Sequence, residues 1–170
     1  MNIRDMKEIF AIPCVGAIIE KQEVNDTYIL IQTRQKQDGA ETNGLIELPA
    51  GKIREYEHIF TALRREIWEE TGLRITKIHG EESAVYTETN GHTTVSFEPF
   101  CTTQNLSGAY SIILQTFLCE AEGEPLKCTD ETQDIRWIKT SELQAMLTEN
   151  PQKFFALHIN PLKKYLKNQI

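Results

Sequence analysis

Glu66, Glu69 and Glu70 lie within one short stretch in which the apolar residues Ile59, Leu63 and Ile67 recur every four positions. Residues three and four apart share one face of a helix, so this spacing predicts a helix that anchors itself by an apolar stripe and brings three carboxylates together. Carboxylate oxygens on a rigid element suit hard divalent ions, and Mg²⁺ is usually held by one or two carboxylates plus the phosphates of a ligand. The chemistry indicated is metal-assisted work on phosphate groups. The competing reading is a solvated amphipathic helix whose Arg65 and Glu69 form a surface pair worth a few tenths of a kcal/mol. Against it stand Glu66 and Glu70, like charges one turn apart that repel each other unless a cation neutralises them.

The stretch also has a fixed wider spacing. Gly51 is followed after five residues by Glu57, then after seven by Arg65-Glu66-Ile67, Trp68, Glu69-Glu70, Thr71 and Gly72-Leu73. This resembles the Nudix box at every defined position, a far more specific match than a lone glycine-rich loop. The resemblance implies an α/β fold, a Nudix-type α/β/α sandwich with a mixed β-sheet. It further implies Mg²⁺-dependent (or Mn²⁺-dependent) hydrolysis of the diphosphate bond in a nucleoside diphosphate linked to another group. Carried onto matching positions, Glu66 and Glu70 look like the principal metal ligands, Glu69 a shared one and the Ala50 carbonyl a backbone ligand. By the same resemblance Arg65 orients Glu57 and Glu69 rather than touching substrate. Tyr56 stands where such loops often have glycine, which leaves the conformation of that loop open.

The box holds no evident general base. Asp130-Glu131-Thr132-Gln133-Asp134-Ile135 resembles the loop that carries the proposed base in ADP-ribose pyrophosphatases, so Glu131 is the candidate. A solvated loop acid is the equal alternative, and Glu98 and Glu120 are runners-up. Glu47-Leu48-Pro49-Ala50-Gly51-Lys52 is similar to the same branch, which points to ADP-ribose or another nucleotide sugar. Arg34 resembles a phosphate-contacting arginine of that branch, with an exposed strand-end arginine as the plainer reading. Tyr86, Phe97, Phe100 and Tyr110 could stack on a base, although aromatics at strand spacing are more often core. Trp68 and Trp137 read as packing, and the four histidines receive no role. The alternatives are a nucleoside triphosphate pyrophosphohydrolase that cleans the nucleotide pool and a non-catalytic nucleotide-sensing module. Intact box glutamates disfavour the latter.

At 170 residues the chain suits one domain, residues 1–170, with one well-buried core. A net charge of −7 disfavours binding to nucleic acid, which needs basic residues against the phosphate backbone. The partners expected are a small-molecule nucleotide substrate and, as an open alternative, a second copy of the chain in a homodimer. No membrane partner is expected, since no segment has the length and apolarity to span one. Cys14, Cys101, Cys119 and Cys128 form no CxxC pair and the first residues lack an apolar run, which reads as free thiols and a cytoplasmic location.

Several elements must position the acids. Ile12 to Glu20 and Tyr28 to Gln32 read as a hairpin joined by the six polar residues Lys21 to Asp26, a polar, glycine-containing loop follows over Gln35 to Gly44, and Leu45 to Leu48 reads as a short strand leading to a Pro49-Ala50-Gly51 turn. Gly72 should cap the acidic helix. Arg74 to Thr87, Val95 to Cys101, Tyr110 to Glu120 and Ile135 to Ile138 read as strands, with Asn90-Gly91 as a turn between the first two. Thr140-Ser141 should cap a following helix, and Pro151 and Pro161 should each open a closing helix.

Overall fold

The structure, a computed structural model, describes residues 8–36 and 41–168. Part of the expected 35–44 loop therefore lies outside the described residues. Strands β1 (Ile12–Glu23) and β2 (Asp26–Arg34) form an antiparallel hairpin, joined by only Val24 and Asn25 rather than the six-residue loop expected. They are followed by β3 (Ile46–Glu47), β4 (Ala50–Lys52) and helix α1 (Ile59–Thr71). The segment read as a turn is therefore itself a strand, because Ala50 to Lys52 pair with Gly16 to Cys14 of β1.

Beyond α1 lie β5 (Arg74–Ile78), β6 (Val85–Thr89), β7 (His92–Ser96), β8 (Cys101–Gln104) and β9 (Ile112–Glu122). The single strand expected from Arg74 to Thr87 is broken by a short 3₁₀ turn at Glu81–Ser83, entered through Gly80 at φ 89°. Asn90 and Gly91, at φ 51° and 76°, make the tight turn between β6 and β7, as their types predict. The strand expected over Val95 to Cys101 is instead the end of β7, an irregular crossing and the start of β8.

The chain closes with β10 (Thr132–Lys139), α2 (Thr140–Glu149) and α3 (Ala156–Asn168). Lys139 rather than a hydroxyl residue occupies the position before α2, and no side chain caps it. Pro151 opens only a 3₁₀ turn, and Pro161 lies inside α3 rather than at its start. A proline there removes one backbone donor, a loss the helix tolerates with Leu157, His158, Pro161, Leu162 and Tyr165 all buried.

The main sheet runs β10-β2-β1-β9-β5, with β3, β4 and β8 attached to β2, β1 and β9. Only β1 and β9 are parallel among the paired strands described, which makes the sheet mixed. Successive side chains of β1 point to opposite faces. Val15, Ala17 and Ile19 pack with Phe60, Leu63 and Ile67 of α1, while Ile18 packs with Leu143 and Leu147 of α2 and Leu162 and Tyr165 of α3. Helices on both faces are why β1 reads as an unbroken apolar run, and the result is an α/β/α sandwich. Each fully buried leucine or isoleucine of α1 contributes about 1.5–3 kcal/mol by leaving water.

Candidate active site

Helix α1 begins after His58, whose Nδ1 accepts from the Phe60 amide at 3.3 Å. It ends at Gly72, held at φ 73° with its N–H donated to the Trp68 carbonyl. Between these ends the buried stripe turns the acidic face toward β4. Trp68 corrects the packing expectation, since it is 60% exposed on the outer side of the helix. Trp137 does pack against the core.

Arg65 organises the acids. Its Nε and Nη2 donate to the two Glu57 oxygens at 2.7 and 2.8 Å, and its Nη1 donates to Glu66 at 2.6 Å and Glu69 at 3.2 Å. A further bond from Nη2 reaches the Lys52 carbonyl at 3.1 Å. The guanidinium holds the Glu57 carboxyl at about 2, well below the usual carboxylate range. The preceding loop keeps its geometry without glycine because exposed Tyr56 itself adopts φ 57°.

Glu70 is placed differently. It is buried, and one of its oxygens accepts from Gln32 Nε2 at 2.8 Å and from the Ala50 amide at 3.0 Å. Gln32 also reaches buried Glu47 at 3.4 Å, so one amide bridges two carboxylates. Burial, with Glu47 nearby, pushes the Glu70 carboxyl up to about 8. Burial likewise raises Glu47, against the pull of the Arg34 guanidinium 3.1 Å away. Arg34 is thus no exposed strand-end residue: it is 7% exposed, with Tyr110 and Phe155 ring centroids 5.2 and 4.8 Å from its guanidinium carbon. Lys36 Nζ stands 2.7 Å from Glu131 and 4.0 Å from Glu70. Burial lowers its affinity for a proton, but the Glu131 and Glu70 carboxylates outweigh this and hold it above the ordinary lysine range.

These groups surround a cleft of about 450 Å³. Arg34, Ala50, Arg65, Glu66, Glu69 and Glu131 all line it; Glu57 and Glu70 do not. Glu98 and Glu120 are exposed and do not line it, Glu120 facing Lys77 and His79 instead. Of the candidate stacking aromatics only Tyr110 reaches the cleft. Tyr86 lies against His58, Phe97 packs with Phe60 and Phe117, and Phe100 lies beneath Lys164. Gln32, Lys36, Glu47, Phe155 and His158 were missed in the sequence. Gln32 carried a usable signal, a polar residue following the apolar run of β2; Lys36 carried none.

The three box glutamates do not stand as a ready ligand cluster. Among the described residues no three acidic, histidine or cysteine side chains are grouped to hold an ion, because Arg65 gathers Glu66 and Glu69 while Gln32 and Ala50 hold Glu70. The donor set nevertheless fits a hard divalent cation. Its donors are carboxylate oxygens, and the Glu66 carboxylate nests over Gly51 so closely that a Cβ there would meet its Oε2 at 1.9 Å. A cation beside Glu70 would also favour the ionised form that burial opposes.

Sheet, helices and cleft together define a class of fold, and the sequence family agrees with it. Residues 12–158 match the NUDIX domain, so the chain belongs to the Nudix hydrolase family. Similar solved structures include the NUDIX domain of Shewanella oneidensis NrtR complexed with ADP ribose, at 15% identity and a TM-score of 0.67 over 100% of this chain and 94% of that one. A MutT NUDIX hydrolase from Burkholderia pseudomallei has 21% identity and a TM-score of 0.63, covering 92% of this chain and 98% of its own. A C. elegans Ap4A hydrolase follows at 12% identity and 0.57, covering 94% and 98%. No curated protein matches the chain. Among the described residues no helix is long and apolar enough to cross a membrane.

Proposed function

We propose that the whole chain acts as one unit that hydrolyses the diphosphate bond of a nucleoside diphosphate linked to another group, with ADP-ribose or another nucleotide sugar as substrate. The observation that carries this reading is the mixed lining of the cleft. Glu66, Glu69 and Glu131 line it together with the cations Arg34 and Lys36, and Arg34 lies against the rings of Tyr110 and Phe155, which line it too. Carboxylates for a metal ion, cations for phosphates and aromatic surface for a flat ring suit a nucleoside diphosphate linked to another group.

In this reading Glu66, Glu69 and Glu70, with the Ala50 carbonyl, hold Mg²⁺ or Mn²⁺. Bound there, such an ion would neutralise charge on the phosphoryl oxygens and acidify water. Arg65, clamped by Glu57, fixes the Glu66 and Glu69 carboxylates. Arg34, backed by Glu47, offers its guanidinium to a phosphate oxygen. Glu131 takes the proton from the water that attacks phosphorus, and Lys36 positions the Glu131 carboxylate.

A panel of ADP-ribose, NADH, diadenosine polyphosphates and nucleoside triphosphates tests the reading, with ¹⁸O-water and mass spectrometry locating the cleaved bond. The expected products are a nucleoside monophosphate and a sugar phosphate, and Glu131→Gln should lower kcat by about 10²- to 10⁴-fold. Preference for triphosphates would defeat the substrate reading, and no hydrolysis of any member would favour a sensing module.

A further inference from the structure

One buried side chain binds two acids of the site and has no part in the reaction proposed above. Gln32 of β2 is 0% exposed and lies directly across from Glu47 of β3. Its Nε2 donates to Glu70 Oε2 at 2.8 Å and reaches Glu47 Oε1 at 3.4 Å, while its own Oε1 is buried with no hydrogen-bond partner. A half-paired amide in a core is costly, and an apolar side chain of the same length would avoid that cost. What distinguishes Gln32 from such a side chain is the donor it presents to the two carboxylates. The amide nitrogen faces them because the reverse orientation would set an oxygen against their oxygens.

These bonds make the two oxygens of Glu70 unequal. Oε2 accepts from Gln32 and, at 3.0 Å, from the Ala50 amide, so it is held by two donors. Oε1 is the oxygen that approaches a cation, the Lys36 ammonium 4.0 Å away, and Lys36 lines the cleft. The last torsion of a glutamate is soft, so its carboxylate turns freely unless neighbours fix it. Donors on one oxygen set the plane of the group and leave the other oxygen to ligate an ion. Gln32 is well placed to do this, because Glu47 beside it is itself fixed by Arg34, whose Nη1 donates to Glu47 Oε2 at 3.1 Å.

We propose that Gln32 is a positioning residue for the metal ion: it pins Glu70 Oε2 and so leaves Oε1 as the oxygen that ligates Mg²⁺ or Mn²⁺. This rests on Glu70 as a metal ligand in the function proposed above and adds to it what presents that ligand. Hydrogen-bond partners standing behind ligating carboxylates are typically worth about 10- to 100-fold in metal affinity.

Metal binding without substrate separates this claim from hydrolysis. Mn²⁺ alone is titrated into the full chain, with the free ion read by electron paramagnetic resonance, for the wild type, Gln32→Met, Glu70→Gln and the double variant. Gln32→Met keeps the length of the side chain and removes the donor, so it should weaken Mn²⁺ binding by about 10- to 100-fold. Added to Glu70→Gln it should weaken binding no further, because its effect passes through Glu70; a residue that only supports the fold would add its loss in both backgrounds. In ¹⁵N-labelled wild type, where no substitution can disturb folding, the Gln32 side-chain amide resonances should move when Mg²⁺ binds. Wild-type affinity in Gln32→Met, an equal further loss in the double variant, or unmoved amide resonances at Mg²⁺ saturation would each overturn the proposal. Glu70→Gln binding Mn²⁺ as tightly as the wild type would instead strike the ligand assignment itself, and the proposal with it.

Discussion

Arg34 and Glu47 form a buried ion pair, with side chains 8% and 4% exposed, and such pairs punish the loss of one member more than the loss of both. Arg34→Met should therefore cost about 3–5 kcal/mol in urea denaturation, because Glu47 is left buried and uncompensated. Adding Glu47→Leu should recover much of that loss. A double variant no more stable than the single would show that Arg34 stabilises through its aromatic neighbours instead. Neither residue announces this in the sequence: an arginine ending a strand is usually solvated, and it is buried here because β3 approaches β2 and the Tyr110 and Phe155 rings lie against its guanidinium. The box acids were legible because their spacing is a property of one helix. Their partners were not, since Gln32 comes from β2 and Lys36 from the segment after it.

At the scale of elements, the loop before α1 and the start of α3 each make a testable statement. Tyr56 is 99% exposed and sits at φ 57°, a conformation that costs an L-residue about 1–2 kcal/mol. Glycine pays no such cost but loses about 0.5–1 kcal/mol more through chain entropy, so Tyr56→Gly should stabilise by up to about 1 kcal/mol in thermal or urea unfolding. A destabilised variant would mean that the Tyr56 ring makes contacts worth more than the strain.

For α3 the readout is pH. His158 has its affinity for a proton depressed by folding, from the usual value near 6.5 to about 3, so its contribution is complete above pH 6.5 and is lost as the pH falls toward 3. Glu70 runs the other way. Raised to about 8, it favours the folded state most below the ordinary carboxylate range and loses that advantage as the pH rises through 8. The two slopes oppose each other in the wild type, and a comparison with His158→Leu isolates one of them. Between pH 7 and pH 5 the stability of the wild type should drop by about 2 kcal/mol relative to that variant. Parallel pH profiles would falsify the assignment of a buried neutral imidazole.

For the molecule as a whole, a ligand that binds only the folded state stabilises it by mass action. If the proposed site holds Mg²⁺, the ion at about a hundred times its dissociation constant should add roughly 2.7 kcal/mol, which for a chain of this length should raise Tm by roughly 5–10 °C. Glu70→Gln should abolish most of that rise. An equal rise in wild type and variant would show that the ion binds elsewhere.

The sequence by itself determined what depends on neighbours along the chain: the acidic helix with its anchoring stripe, the Asn90-Gly91 turn, the Gly72 cap and the hairpin that begins at Ile12. Helical and strand periods act over a few residues, so spacing alone carries them. The tertiary structure alone decided which distant residues share the cleft. Ile12, Ile112 and His158 line it together because β1 and β9 pair in parallel and α3 begins beside their start. It also decided that Trp68 faces water, that Glu98 and Glu120 stand away from the cleft, and that Glu70 and Glu47 share one glutamine. No local period encodes contacts between residues so distant in sequence; packing of the sheet between its helices brings them together.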